Sequence, residues 1–283
     1  MSGIFYKIKR IWPYLVYALA AVLFFLVLFF PDRIVSSFVT QKFSETFPGS
    51  GLSAEKIKIS FPPGIELLNP VFSIKGMDEI NAELVRIRPS ILSIIGISKK
   101  IHSEVTAFGG NLSIDAGFKD LKSLEAAKAS IKKLDLSKMP KSVFKGYDVK
   151  GIVDSDILLQ SGEKGFDGEF SINVGGGGIS VPFLSGLDLS PATLVTDGVI
   201  AGGVADIKKC VFTAGDFSGD AIGKINISNN IGKSGLNLTL NINRKESNPD
   251  STPNMMIDAV FKSGSKKKIV VTGTIDNPKY SFN

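Results

Sequence analysis

Hydrophobic and polar residues change their spacing twice along this chain. Residues 11–30, IWPYLVYALAAVLFFLVLFF, carry no charge. At about 1.5 Å rise per residue such a run reaches across a hydrocarbon core of ~30 Å, so a transmembrane helix is expected over residues 11–31, where Pro31 ends it. Over residues 34–47, Ile34, Val35, Phe38, Val39, Lys42 and Phe43 fall at helical spacing. This predicts a short amphipathic helix, stopped by Pro48-Gly49-Ser50-Gly51. Its apolar side either caps the core of the domain that follows or lies on a bilayer surface.

From residue 54 the period becomes two. AEKIKISF, PVFSIK, NAELVRIR, KIHSEVTAF and GNLSIDAGF alternate and are separated by Pro, Gly and Asn, which predicts strands and turns. Residues 89–97, PSILSIIGI, do not alternate and read as a short helical turn between strands. Residues 121–136 mix a helical composition in SLEAAKA with an alternating end. That end predicts a strand finishing at Leu136, with Ile131, Lys133 and Asp135 opposite Lys132, Leu134 and Leu136. SKMPKSVFKG reads as a short helix stopped at Gly146.

The second half is β throughout. YDVKGIVDSDILLQ turns through SGEKG into FDGEFSINV, a hairpin signal. ATLVTDGVIAGGVADIK, CVFTAGDFSGDAIGKINIS, GLNLTLNIN, MMIDAVFKS and KIVVTGTI follow. A glycine repeatedly precedes alternating apolar residues, at Gly151, Gly168, Gly198, Gly219 and Gly273. Glycine inside a strand marks a bulge, a bend or a close approach. The expected fold is therefore mainly β: one transmembrane helix, then a long curved antiparallel sheet, half-pipe-like, with few short helices. The organisation reads as residues 1–10 cytoplasmic, 11–31 in the membrane, 32–51 juxtamembrane helix and linker, and 52–283 a periplasmic β-rich domain.

Charge sets that orientation. Lys7, Lys9 and Arg10 precede the apolar run, whereas Asp32 and a single Arg33 follow it, which places the N-terminus in the cytoplasm. The run is long for a signal peptide, and FFPDR lacks a small-residue cleavage site, so an uncleaved anchor is expected. Of the 33 Lys and Arg residues those three are the topology signal, leaving 30 against 27 Asp and Glu. That balance excludes a nucleic-acid footprint.

The candidate chemistry is thin. Cys210 is the one cysteine, so an internal disulfide and a cysteine zinc cluster are excluded, and its alternating context KKCVFTA reads as a packed apolar position. His102 is the one histidine, and it shares a strand face with Glu104 and Thr106, as a solvated residue would. The four glycines Gly175 to Gly178 follow a strand, but no Lys-Ser/Thr comes after them. Ser180 stands where a dinucleotide fingerprint needs glycine, and ISVPFL opens no helix. They read as a flexible connection. Asp148, Asp154 and Asp156 lack the glycine and glutamate of a calcium loop, and Asp154 and Asp156 read as solvated. Asn111, Asn226 and Asn237 begin N-x-S/T triplets of the kind a Ser/Thr/Asn-rich β protein shows by chance. KSGSKKKI reads as a charged hairpin tip, with an anionic-lipid contact as the alternative. No catalytic, cofactor-binding or metal-ligating residue emerges, and no enzyme is expected.

The short basic N-terminus, the single membrane helix, GYDVKGIVDSDILLQ, GDFSGDAIGKINIS with GLNLTLNI, and the terminal VVTGTIDNPKYSF together resemble the type II secretion system protein N (GspN-type) family. The closing Gly273-Thr274-Ile275-Asp276-Asn277-Pro278 also resembles the last strand of AsmA-like periplasmic proteins. The first resemblance implies a non-enzymatic accessory component at the inner-membrane platform of a secretion machine. It would bind other platform subunits through its periplasmic sheet. The second implies a concave sheet face that holds lipid acyl chains, and hence one continuous apolar, solvent-accessible face. Either way the expected location is the bacterial inner membrane, with the bulk of the chain periplasmic.

Overall fold

The computed structural model describes residues 17, 32–60, 64–74, 78–90, 93, 96, 99–120, 123–144, 148–163, 165–181, 187–188, 190–228, 231–245 and 265–282. Apart from Tyr17, the apolar run over 11–30 lies outside the described residues, as do the strand expected in MMIDAVFKS and most of the turn expected over 89–97. Among the described residues no helix is long and apolar enough to cross a membrane.

The chain opens with helix α1 (Asp32–Thr46). Strands then run in chain order: β1 (Gly51–Ser53), β2 (Lys56–Ser60), β3 (Gly64–Leu68), β4 (Val71–Ser73), β5 (Ile80–Asn81), β6 (Leu84–Pro89), β7 (Lys100–Ala107), β8 (Gly110–Phe118) and β9 (Leu124–Asp135). They continue as β10 (Asp148–Gly162), β11 (Gly165–Val181), β12 (Leu187–Asp188), β13 (Ala192–Ala201), β14 (Val204–Ala214), β15 (Phe217–Asn226), β16 (Gly235–Arg244), β17 (Lys266–Thr274) and β18 (Pro278–Phe282). β1, β4 and β5 make a small sheet. The others form one 15-stranded antiparallel sheet in the order β18-β17-β16-β15-β14-β13-β11-β10-β9-β8-β7-β6-β3-β2, with β12 beside β11. Among the described strands, those adjacent in sequence are adjacent in space, a meander interrupted by the small sheet and by β12. At the usual spacing of about 4.8 Å, its two edge strands stand roughly 60 Å apart measured along the sheet.

Among the described residues the one compact core lies at the α1 end. Val35 of α1 packs with Ile57, Leu67, Ala82, Val85 and Ala107, and Val39 and Phe72 join the cluster. Phe43 lies 5.1 Å from Phe47 and 5.8 Å from Phe72, ring centre to ring centre. The helix thus caps the β2–β3–β6 end with one stripe, while Ile34 and Phe38, one turn apart on another stripe, stay about 60% exposed.

The ambiguous segment 121–136 forms strand from Leu124 to Asp135, because β8 and β10 pair with β9 on both sides and override the alanine-rich composition. Three sequence expectations change. SKMPKSVFKG is not one helix. It is two 3-10 turns, Leu136–Lys138 and Lys141–Phe144, on either side of Pro140, which lacks the N–H that a continuous helix would use. Gly175–Gly178 is not a connection, because β11 runs through it. Ile152 stands opposite Gly175 and Lys150 opposite Gly178, with a bulge near Gly176, whose φ is 58°. The lysines expected at a hairpin tip, Lys266 to Lys268, belong to β17.

Candidate functional site

Residues directly opposite each other on paired strands share a face, so the register sorts every paired side chain in the main sheet. One row crosses all fourteen strands of the path. It runs Ile59, Ile65, Ile87, Ser103, Ile114, Ala129, Ile157, Phe170, Gly198, Ile207, Gly223, Leu238, Val271, Tyr280. It contains no charge. The row one residue away runs Lys58, Glu66, Arg86, Glu104, Ser113, Ser130, Asp156, Ser171, Asp197, Lys209, and is polar throughout. The main sheet therefore has one face with a charge-free row from end to end, and an opposite face whose neighbouring row is polar from β2 to β14.

Bulges keep the rows in phase. Strict alternation would put Leu134 opposite Ile131. Lys133 instead adopts φ 57° and takes up one extra residue, so Leu134 pairs with Val153 while Ile131 pairs with Ser155. The N–H of Lys133, freed from the ladder, donates to Asp154 Oδ1 at 3.0 Å. Two glycines of the apolar face have a steric role. A Cβ at Gly198 would lie 2.5 Å from Phe170 Cζ, and one at Gly219 would lie 2.9 Å from Phe212 Cζ, so each glycine seats the ring of the neighbouring strand.

The two faces differ in exposure. Cys210 and Ala221 on the apolar face are 8% exposed, whereas their chain neighbours Val211 and Ile222 on the polar face are 45% and 51% exposed. Beyond the α1 end, Ile157, Phe170, Ile172, Leu194, Phe212, Leu238 and Leu240 are half-buried. A cavity of about 320 Å³ lies beside Ile101, Ala116, Ala127 and Leu159 of the apolar face, with His102, Asp115, Lys128 and Gln160 also at its wall. That volume is at the lower end of small-ligand sites.

The polar face carries a ladder of ion pairs. Lys58 Nζ and Arg86 Nε each lie 3.2 Å from Glu66, Arg86 Nη1 lies 3.9 Å from Glu104, and His102 Nε2 lies 3.2 Å from Glu104. His102 Nδ1 ends the ladder 2.7 Å from Asp115. Burial pushes the Glu66 carboxyl up, but hydrogen bonds from Lys58 and Arg86 outweigh it and hold its pKa below the ordinary value. Its contribution to stability is therefore full above the unfolded carboxylate pKa of about 4.3 and is lost as pH falls through the lowered folded value. Glu66→Gln is expected to cost about 1 kcal/mol in urea unfolding at pH 7 and to flatten the acid limb, because Lys58 and Arg86 lose their shared partner.

His102 is more than a solvated residue, since two carboxylates hold it. The hydrogen bonds to Asp115 and then Glu104 raise its pKa. Its contribution is full below the unfolded value of about 6.5 and is lost as pH rises through the raised folded value. With one histidine in the chain, a single imidazole signal reports this. Its NMR titration is expected to have a midpoint above 6.5 that falls in Asp115→Asn; an unchanged midpoint would count against the pairing.

The other candidates bring no chemistry together. Cys210 is buried in the sheet. Asp156 is held by Lys132 Nζ at 2.8 Å and Ser130 Oγ at 2.6 Å, so it is paired rather than merely solvated. Among the described residues no group of three or more His, Cys, Asp or Glu could hold a metal ion.

No family model, no curated protein and no solved structure matches the chain. The two-faced sheet thus stands as the feature from which a function has to be argued. Sequence patterning supplied the alternation of each strand, but which strand faces meet is a property of register, and only the pairing discloses the uninterrupted row.

Proposed function

We propose that this protein binds lipid acyl chains along the apolar face of its sheet, as a membrane-anchored component of the bacterial envelope without enzymatic activity. The observation that carries this reading is the charge-free row across all fourteen strands. An apolar surface of such length exceeds the patches that soluble monomers leave exposed, and marks a place where apolar material is held. Curvature of the sheet toward that face, as in a half-pipe, accounts for the low exposure of Cys210 and Ala221 beside the high exposure of Val211 and Ile222. The bulges and ring-seating glycines are the devices that bend a sheet in this way. The proposed anchor, residues 11–31, leads directly into α1, which packs on the β2–β3–β6 end. The groove would then start at the membrane and lead away from it, with Ile34 and Phe38 outward at the bilayer surface.

A second reading is favoured by the sheet edge. β18 pairs with β17 and no other described strand, so a partner strand can add along its far side. That suits an accessory subunit of the type II secretion platform docking its neighbours. Tagged full-length protein purified from native membranes, with mass spectrometry of proteins and lipids, separates the two. Stoichiometric phospholipid without platform subunits is expected. Platform subunits without enriched lipid would replace the first reading by the second.

A further inference from the structure

Charge on the polar face does not balance at one end of the sheet. In β2, β3, β6, β7 and β8 the acids of that face are Glu66, Glu104 and Asp115, and Lys58, Arg86 and His102 hold them. Three cations of the same strands and face remain: Lys56 at the other end of β2, and Arg88 and Lys100 together where β6 ends and β7 begins. Arg88 stands opposite His102, two residues from Lys100, so the two cations are diagonal neighbours about 7–8 Å apart. Neither side chain makes a hydrogen bond or an ion pair among the described residues. The arginine is seated in the fold. A Cβ at Gly64 would lie 2.6 Å from Arg88 Cγ, so the arm crosses β3 where that strand has no side chain. Arg88 is half-buried, and its Nε is enclosed without an acceptor. The Ser60 hydroxyl, opposite Gly64 on the same face, is enclosed without a partner as well. Enclosed polar groups are normally paired, and unpaired ones are a cost. Lys100 is exposed, and with Ser90 it stands at the wall of the cavity of about 320 Å³.

We propose that Arg88 and Lys100 form a binding site for a phosphate oxyanion, carried either by the head of an anionic phospholipid or by a free phosphate. Two unpaired like charges at this spacing repel, and an anion between them replaces that repulsion with two attractions. A guanidinium already fixed in place loses little freedom on binding and matches phosphate oxygens in pairs. The lysine adds a movable point charge from the open side. The site lies on the polar face, away from the acyl-binding surface, and does not depend on that reading.

The test is a titration of the full-length protein in a maltoside detergent, read by NMR at the arginine Nε–H signals. The chain has five arginines, and Arg88→Lys identifies the Arg88 signal by its loss. The probes are inorganic phosphate, short-chain phosphatidylglycerol and short-chain phosphatidylcholine. The Arg88 signal is expected to shift saturably with phosphate and with phosphatidylglycerol, and to stay in place with phosphatidylcholine. Lys100→Gln is expected to weaken the binding about tenfold, the effect of one charge-assisted contact, and Lys56→Gln to leave it unchanged. Tighter binding of phosphatidylglycerol than of phosphate would assign the site to a lipid head, and the reverse order to a free phosphate. An Arg88 signal that moves with neither, or binding that Lys100→Gln leaves untouched, would overturn the site. Inorganic phosphate has no acyl chain, so its result stands or falls apart from acyl binding.

Discussion

Ile157→Asp is expected to abolish lipid binding, whereas Leu158→Asp, one residue along, leaves it intact. The two positions are adjacent in β10 and lie on opposite faces of the sheet. Ile157 stands between Ala129 and Phe170 in the charge-free row, and Leu158 between Lys128 and Glu169 on the polar face. An aspartate at 157 puts an unpaired carboxylate against acyl chain, a cost of a few kcal/mol that corresponds to a loss of ~30-fold or more in affinity. At 158 the same carboxylate meets water, with Lys128 on one side and Glu169 on the other. Fatty-acid titration of both variants, with circular dichroism to verify the sheet, reads the difference. Equal losses in both would mean that the apolar face is not where lipid lies.

The largest stability effect is expected at the other end. Leu67 is 3% exposed between Ile57 and Val85 and belongs to the cluster that α1 covers through Val35. Leu67→Ala leaves a cavity in the one compact core of the described residues and is expected to cost 2–5 kcal/mol. Ile222→Ala, at a position 51% exposed on the polar face, is expected to stay within about 0.5 kcal/mol. Urea unfolding of the pair tests this. A small effect at Leu67 would mean that α1 is loosely seated and the β2 end open.

Much of the fold is legible in the sequence because most strands alternate and most turns carry glycine, proline or asparagine. The hairpin from β10 to β11 through Gly162 and Gly165 is an example. What alternation misleads on is local. At Lys133 a single residue in the left-handed region reverses the phase, and nothing in ASIKKLDLS distinguishes it from a regular strand. Gly175 to Gly178 invite a loop reading because glycine permits one, yet neighbours on both sides hold them in the ladder. The alanines of β9 favour helix locally and form strand because sheet partners flank them. The candidate site was the least visible part. Gly198 and Gly223 look like interruptions of an apolar pattern until pairing sets Gly198 beside Phe170 and Gly223 beside Leu238.

The central claim is that lipid lies on one face of this sheet along its length, and photocrosslinking in cells tests it most directly. A photoreactive amino acid is placed in turn at Ile114, Ile157 and Leu238 on the apolar row, and at Ser113, Leu158 and Thr239 on the polar face beside them. Lipid adducts, read by mass spectrometry of the purified protein, are expected at all three positions of the first set and at none of the second. Adducts shared equally by both faces, or protein adducts in place of lipid at Ile157 and Leu238, would contradict the account.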